Sequence, residues 1–193
     1  MVKVLLVLMV LGFSSPSMAG NEGNSVAYYG SFSFLSVSDP DGSTEPASML
    51  SPFHLAWHSQ IDRDARYSVE ATFASFKLDA SPSNIGQEIK EIDFLYSYQK
   101  KFNLTKSFKP YLGIGASFSQ FEATARYNVD AAGFLTTTYA DRKESIFYAV
   151  FSAEIEYEWD ETFDYGFRLQ HRLSVSGDGV NETSLGLAVI YNL

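Results

Sequence analysis

The chain has 193 residues, of which 46% are hydrophobic, 16% aromatic and 19% charged, and its formal net charge is −9. This composition excludes a disordered chain, whose signature is low hydrophobicity with high net charge, and the excess of acidic residues argues against a nucleic acid bound through its phosphates. Since the chain contains no cysteine, disulfides, thiolate zinc sites and a cysteine nucleophile are excluded as well.

The start of the chain has the features of a secretory signal peptide. Lys3 supplies a positive charge, residues 4–13 are apolar, and Ser17-Met18-Ala19 is a small-x-small cleavage site. The apolar segment is too short for a membrane core that needs about 20 residues. We therefore expect residues 1–19 to be a cleaved signal peptide and residues 20–193 to form one barrel domain.

Cleavage at this site is directly testable. N-terminal sequencing of the mature protein should begin at Gly20, because the signal peptidase cuts after the small residue that closes the motif. A mature chain that begins at Met1 would contradict the assignment.

Beyond this segment, apolar and polar residues alternate with a period of two, as in strands whose successive side chains point to opposite faces of a sheet. Tyr67, Val69 and Phe73 share one face of such a segment, and Ser68 and Glu70 lie on the other. No later stretch reaches the length of about 18 apolar residues that is typical of a membrane-spanning helix. The pattern predicts eight strands, over residues 25–37, 50–61, 65–78, 89–101, 107–126, 138–158, 163–175 and 182–193.

The connections between these strands alternate in character. Three are short polar turns and four are longer and rich in Gly, Pro, Ser, Asp and Ala: residues 62–64, 103–107 and 160–162 against residues 39–47, 80–87, 128–136 and 177–181. Short turns at one end and longer loops at the other are the layout of outer-membrane barrels. We therefore predict an all-β fold, an eight-stranded antiparallel up-and-down transmembrane β-barrel with both chain ends on the periplasmic side.

Alternation alone does not separate a membrane barrel, with its apolar face outward, from a soluble ligand-binding barrel, with that face inward. The polar face here consists largely of Gly, Ser, Thr and Ala, which fill a narrow lumen, whereas a solvated exterior would carry more Lys and Glu. The apolar face is rich in Tyr, Phe and Trp, also near strand ends where membrane barrels have aromatic girdles. We therefore expect the apolar face to contact lipid.

Two short motifs resemble those of known outer-membrane barrels. Ser184, Gly186, Val189 and Tyr191 are similar to the C-terminal signal that the barrel assembly machinery reads, although this chain ends in Leu where many such proteins end in Phe. Residues 110–116, PYLGIGA, resemble a strand of the small OmpA/OmpX/OmpW-like barrels. The resemblance implies a bacterial outer-membrane location, contact with the lipid bilayer and lipopolysaccharide, and handling by the barrel assembly machinery during biogenesis.

Histidines are the first candidates for a metal site. His54 and His58 lie four residues apart on a predicted strand, a separation of about 13 Å that is too large for one ion, so we interpret both as lumen or rim residues. The acidic runs at residues 39–43 and 178–182 supply too few oxygens for a calcium loop. We therefore expect no metal and no cofactor.

His171 is the basis of the one enzymatic hypothesis that the sequence suggests. It shares the face of Leu169, which directs it toward lipid near the extracellular end of its strand. Lipid A deacylases of the PagL type resemble this arrangement, with a histidine late in a strand, a serine two residues on and an acid on the next strand. Here Glu182 begins the next predicted strand, but the serine position is Leu173, and Ser174 points to the opposite face. Because a serine nucleophile must lie within hydrogen-bond reach of its base, we expect no catalytic site.

The same alternation predicts ion pairs inside the barrel. If a turn is centred on Glu161, antiparallel pairing places Glu154 opposite Arg168, and both have inward parity. Glu70 and Asp93, inward on two other predicted strands, are placed to reach Arg168 from the far wall. A buried charge is costly unless it is paired, so we predict an ion network around Arg168.

These features predict a structural or surface-interaction role for a monomeric barrel, with no nucleic acid and no catalysis. Two alternatives stay open: passage of small hydrophobic molecules through a lateral opening in the wall, and modification of lipid A at His171. We do not expect an open porin, because eight strands enclose a lumen only wide enough for side chains.

Overall fold

The protein is described by a computed structural model that covers residues 23–38, 44–78, 87–102, 107–124, 126–176 and 181–193. Eight strands of this part form a closed antiparallel barrel in which the last strand pairs with the first, as predicted, and two further strands form a separate hairpin. The strands are β1 (Ser25–Ser38), β2 (Thr44–Asp62), β3 (Ala65–Leu78), β4 (Gln87–Lys101), β5 (Phe108–Ala123), β6 (Arg126–Val129), β7 (Leu135–Tyr139), β8 (Arg142–Glu158), β9 (Phe163–Ser174) and β10 (Glu182–Asn192).

Within the described ranges, no helix has the length and apolar character needed to span a membrane. The predicted signal peptide over residues 1–19 lies outside the described residues, as do residues 39–43 and 178–180 of the two acidic runs.

Some of the predicted strand limits are wrong. β2 begins at Thr44 and not near residue 50, because β1 and β2 continue to pair as far as Ser38 and Thr44. The predicted strands over residues 107–126 and 138–158 are shorter, and the predicted loop between them contains parts of β6 and β7. Residues 44–49 and the ends of the predicted 128–136 loop contain turn-forming residue types, although their backbone still pairs.

A rigid turn closes the hairpin of β6 and β7. The Asp130 carboxylate accepts hydrogen bonds from the backbone N–H groups of Ala132 and Phe134, both at 2.9 Å, and its own N–H donates to the Phe134 carbonyl at 2.9 Å. Gly133 has a φ of +85°, a left-handed conformation that glycine adopts without a side-chain clash. Asp and Gly are turn formers, which explains why this segment resembles a loop in sequence.

The alternating faces point as predicted. Large apolar side chains are exposed on the outside of the wall, as Tyr96 is with 54% exposure, whereas small polar residues such as Ser68 and Ser119 are buried inside. On β4 the outward apolar run is flanked by Lys90 and Lys100, ten positions apart. That separation is about 33 Å along a strand, or about 25 Å in height at a tilt of about 40°, which matches the apolar band of outer-membrane barrels.

The two ends of the barrel differ. We call the end with residues 63–64, 102, 107 and 159–162 the turn end, and the opposite end the loop end. Aromatic pairs surround the turn end, with ring centres 5.2 to 5.8 Å apart in the pairs Phe108–Tyr157, Phe163–Tyr191 and Trp159–Tyr165. Such rings form the interfacial girdle of a membrane barrel.

The wall has unequal height at the loop end. β5 and β8 pair up to Ala123 and Arg142, whereas β8 and β9 stop pairing at Tyr148 and Ser174. Residues 142–147 of β8 therefore extend beyond the last pair with β9, by about 20 Å along the strand. This extension carries the hairpin of β6 and β7.

One inward glycine allows the wall to close tightly. A Cβ atom on Gly115 of β5 would lie 2.7 Å from the Cβ of Ser97 on the neighbouring strand. No real side chain tolerates that approach without a shift of backbone, so glycine is required where these two inward faces meet.

Candidate functional site

Charged side chains fill the lumen at three levels, each built on one arginine. Because inward positions recur at every second residue of a strand, Arg168 and Arg172 of β9 both point into the lumen, where Arg66 of β3 joins them; all three are buried. Each guanidinium lies over a tyrosine ring, a cation–π arrangement, at 3.9 Å for Arg66 over Tyr111, 3.8 Å for Arg168 over Tyr29 and 4.2 Å for Arg172 over Tyr148.

The Arg66 level lies nearest the turn end. Nη1 of Arg66 donates to Glu156 at 2.6 Å, and Nη2 lies 3.4 Å from a carboxylate oxygen of Glu154. Its Nε donates to the side-chain oxygen of Gln99 at 2.5 Å. The guanidinium therefore joins β3 to β4 and, across the lumen, to β8.

The Arg168 level occupies the middle of the barrel. Arg168 Nη1 donates to Glu70 at 2.8 Å, and Ser68 donates to the other oxygen of that carboxylate at 2.9 Å. His54 Nε2 lies 2.6 Å from Glu70, and Arg168 Nη2 lies 3.2 Å from Nδ1 of the same ring. Arg168 Nη2 also lies 2.9 Å from Nε2, so the imidazole of His54 is held between the guanidinium and the carboxylate of Glu70.

Tyr29 of β1 connects these two levels. Its hydroxyl donates to Glu154 at 2.7 Å and lies 3.3 Å from Nε2 of His58. Since its ring also carries the guanidinium of Arg168, one side chain contacts both levels. A large aromatic residue at an inward position thus fills the centre of the lumen and satisfies a carboxylate.

The Arg172 level lies toward the loop end. Arg172 Nη1 donates to Glu182 at 2.7 Å, and Nη2 lies 2.8 Å from Glu91 and 3.0 Å from Asp93. Ser119 of β5 donates to Glu91 at 2.6 Å. Three carboxylates from β4 and β10 therefore surround one arginine of β9.

A small cavity separates the Arg168 and Arg172 levels. Its volume is about 20 Å³ and its lining includes His54, Asp93, Gln170 and Arg172, enough space for about one water molecule. Nε2 of Gln170 and Nε of Arg172 have no protein partner, and buried donors of this kind are ordinarily satisfied by ordered water.

Apolar side chains close the lumen above the Arg172 level. Ile89, Phe121 and Ile146 point inward from β4, β5 and β8 and are almost completely buried in one cluster. Above them Arg142 pairs with Glu144 at 2.7 Å and lies 6.0 Å from the Phe121 ring centre. The polarity of the wall is thus inverted here, with apolar residues inside, as expected for strands that leave the membrane.

The ion pairs in the lumen connect strands that are not adjacent in the barrel wall. Each arginine contacts residues of at least two other strands, so the ion pairs fix the spacing of opposite walls. Breaking a buried pair of this type is strongly destabilising, because the remaining partner is a buried charge without compensation. The arrangement favours a rigid, closed barrel over a water-filled channel.

The predicted ion network is confirmed in part. Glu154 lies opposite Arg168 in the β8–β9 register, and Glu70 binds Arg168 as expected. Two details are wrong: Asp93 binds Arg172 and not Arg168, and the described contacts of Glu154 are with Tyr29 and Arg66.

Arg66 and Arg172 were not predicted to be the centres of their own levels. The alternation of inward and outward positions does place both inside. Arg172 is four residues beyond Arg168 on the same face, and Arg66 shares the face of Ser68 and Glu70. The alternation does not show which strand each guanidinium reaches across the lumen, because that depends on the stagger of the strands around the barrel.

The two early histidines point inward and are buried, one of the two positions we considered for them. His54 binds Glu70, whereas His58 lies near Tyr29. Among the residues that the structure describes, no group of three His, Asp or Glu side chains is arranged to hold a metal ion.

His171 lies on the outward face of β9, as predicted, but its neighbours differ from the deacylase arrangement. Its Nδ1 lies 2.8 Å from the hydroxyl of Thr183, its cross-strand partner on β10. Glu182 faces the lumen and binds Arg172, and Ser174 donates to the carbonyl of Ser176. The structure therefore places Thr183 beside His171, whereas Glu182 and Ser174 make other contacts.

Comparisons with known proteins agree with this architecture. No protein-family model and no curated protein matches the sequence. Among solved structures, the barrel of Neisserial surface protein A is similar with a TM-score of 0.61 and 16% identity, over 89% of this chain and 100% of that chain.

Two further neighbours have the same fold. The attachment invasion locus protein Ail of Yersinia pestis aligns with a TM-score of 0.57 and 12% identity, over 89% of this chain and 99% of that chain. The N-terminal β-barrel domain of OprF from Pseudomonas aeruginosa aligns with a TM-score of 0.52 and 12% identity, over 90% and 99%. At these identities the similarity shows the fold alone.

Proposed function

We propose that this chain, which has the fold of the small eight-stranded outer-membrane β-barrels, is a monomeric protein of the bacterial outer membrane that interacts with partners outside the cell. In this proposal the closed barrel is a scaffold without catalysis, and its loop end is the working surface. The turn end lies in the periplasm and the loop end outside, the usual orientation of short turns and long loops.

The closed lumen supports a scaffold role over transport. Three arginine levels and an apolar cluster occupy the interior, and one chain pairs its own first and last strands. A barrel that closes on itself needs no second copy to satisfy its edges.

The observation that carries the surface role is the exposed hairpin of β6 and β7. Phe134 and Leu135 at its tip are 71% and 61% exposed, and the Asp130 turn holds them in place at the end of the raised β5–β8 wall. In this proposal the two adjacent apolar side chains, held by a hydrogen-bonded turn, are the contact point for a partner. The partner should present a complementary apolar surface.

Binding to an apolar probe tests this role. Lipid vesicles carrying the protein should be retained on octyl-coated beads, and the Phe134→Ser/Leu135→Ser variant should lose most of that retention. Ala131→Ser, in the same exposed turn, is the matched control and should behave as the parent protein. Equal retention of all three proteins would overturn the surface role.

Two measurements separate this proposal from the alternatives. Passage through the barrel would produce conductance steps in planar bilayers, which the filled lumen should not give. Modification of lipid A at His171 would change the mass of lipid A in cells that produce the protein, and no change is expected.

A further inference from the structure

The pairing of β2 with β3 stops before either strand ends. The last pair toward the loop end is Phe53 with Phe73, yet β2 continues beside β1 and β3 continues beside β4 for the rest of their lengths. Above that height no backbone pair in the described part of the chain joins β2 to β3. We call the unpaired stretch between residues 44–52 of β2 and residues 74–78 of β3 the β2–β3 gap.

The sequence of β2 explains why the pairing stops. Pro52 lies next to Phe53 on the loop-end side, and Pro46 lies further along the same strand. Proline has no backbone N–H to donate and is confined to the edges and bulges of sheets. The β1–β2 register also shifts between Tyr29 and Ser31, opposite residues 52–53. The gap is therefore a consequence of residues in β2 itself.

The gap begins inside the apolar band of the barrel. On β4 the residue paired with Phe73 is Ile92, two positions from Lys90, which flanks the apolar run. Beside the gap, the outward side chains of Leu50, Phe53 and Phe73 are exposed. The base of the gap thus faces the acyl chains of the leaflet on the loop-end side, and the rest of the gap faces the lipid headgroups.

The inner side of the gap borders the small lumen cavity described above. Two lining residues of this cavity come from each side of the gap, Ser51 and His54 from β2 and Thr72 and Ala74 from β3. The cavity therefore reaches the wall at the point where the two strands stop pairing. Its volume of about 20 Å³ accommodates one group of the size of a water molecule.

Two buried donors in this cavity have no partner. Nε2 of Gln170 and Nε of Arg172 form no hydrogen bond within the described residues, although both side chains line the cavity and are only 6% and 5% exposed. Because buried donors are ordinarily satisfied, the cavity requires an oxygen acceptor. A water molecule meets this need, and so does an oxygen atom of a ligand.

The charges around the cavity favour a neutral acceptor. Glu91, Asp93 and Glu182 line the cavity, and all three pair with Arg172. Three carboxylates outweigh one guanidinium, which disfavours an anionic head such as a carboxylate or a phosphate. An ammonium head has no lone pair with which to accept from Gln170. A hydroxyl or a carbonyl oxygen meets both conditions.

We propose that the β2–β3 gap binds a neutral amphiphile, an apolar chain that ends in an alcohol or carbonyl oxygen. The oxygen replaces water in the cavity and accepts hydrogen bonds from Gln170 Nε2 and Arg172 Nε. The chain leaves through the gap and lies on Phe53 and Phe73 among the acyl chains of the membrane. This site is separate from the loop-end surface of the proposed function, and it involves binding in the wall without passage through the barrel.

The test uses folded full-length mature protein in phospholipid vesicles with a photo-reactive analogue of decanol as the probe, and mass spectrometry locates the labelled residues. Labelling should be concentrated at Leu50, Phe53 and Phe73 relative to the other outward residues, and excess decanol should remove it. Decane should not compete, because it has no oxygen. Decanoate should compete at least about tenfold more weakly than decanol, because its charge meets the three carboxylates.

Variants of the cavity separate this site from the general lipid face. Gln170→Leu removes the donor at similar volume, so labelling at the gap should fall about tenfold, the usual effect of one lost hydrogen bond. Ala74→Val, which fills the cavity from β3, should lower the labelling as well. Ser97→Ala is the matched control and should label as the parent protein does, because Ser97 is inward and buried, with an unpartnered hydroxyl, but does not line the cavity.

Four outcomes would overturn the proposal: labelling spread evenly over the outward face, undiminished labelling of Gln170→Leu, or competition by decane or by decanoate equal to that by decanol. Heat-dependent gel mobility, which reports a folded barrel, shows whether each variant has folded. If Gln170→Leu does not fold, undiminished labelling of Ala74→Val overturns the proposal in its place.

Discussion

Replacement of Arg168 with methionine should lower the free energy of unfolding by about 3–5 kcal/mol, the usual cost of leaving a buried charge without its partner. The variant removes the guanidinium that binds Glu70 at 2.8 Å and packs over Tyr29. Glu70 is buried, so bulk solvent does not replace the lost charge. Urea unfolding of the protein in lipid vesicles, followed by tryptophan fluorescence, measures the change.

A double-mutant cycle identifies the partner. Glu70→Gln combined with Arg168→Met should recover part of the loss, because the buried carboxylate is then neutral. The corresponding cycle with Glu154→Gln should show weaker coupling, since Glu154 binds Tyr29 and Arg66. Arg63→Met, in an exposed turn, should change stability by less than about 0.5 kcal/mol. Strictly additive losses for Glu70 and Arg168 would exclude the pair.

Arginine in place of Tyr96 should destabilise the barrel by about 2–4 kcal/mol, the cost of a charge on the lipid face near the middle of the bilayer. Tyr96 is outward, stacks on Tyr67 at 5.4 Å and lies near the centre of the apolar run of β4. Phe94→Arg should behave alike. Assembly into vesicles, measured by heat-dependent gel mobility, reports the effect.

The neighbouring inward position provides a contrast. Ser97 is buried and faces Gly115, so Ser97→Arg should fail because it overfills the lumen, in any lipid or detergent. The cost of Tyr96→Arg should instead decrease in detergents whose apolar layer is thin. Phe94→Leu, which keeps the face apolar, should assemble normally. Equal tolerance of arginine at all three positions would contradict the assignment of the inner and outer faces.

The barrel could be predicted because the alternation of apolar and polar residues is a local pattern in the sequence. Period-two alternation along segments such as residues 67–73 and 92–98 identifies both the strand and the face that meets lipid, and the turn at Asp160 fixes the pairing of Glu154 with Arg168. Alternation did not predict β6 and β7, because these strands are short and the turn between them, built by Asp130 and Gly133, resembles an ordinary loop in sequence.

The contacts in the lumen were harder to predict. Parity places Arg66, Arg168 and Arg172 inside, but a long guanidinium reaches across the barrel to strands that are not its neighbours. Arg66 binds Glu156 of β8, a residue 90 positions away, and Arg172 binds Asp93 of β4. These partners depend on how far the strands are staggered around the closed sheet, which no local pattern in the sequence expresses.

The pairing of β1 with β10 also governs when the molecule can become stable. Ser25 pairs with Asn192 and the contact continues to Leu35 and Glu182, so the ring closes only after β10 has been synthesised. Until then β1 is an unpaired edge with an apolar outer face, the kind of surface on which chains aggregate. Closure of so long a loop is also slow, because its entropy is lost before the final contacts form. A chain truncated before β10 should therefore stay unfolded or aggregate, and it should show no heat-dependent gel mobility.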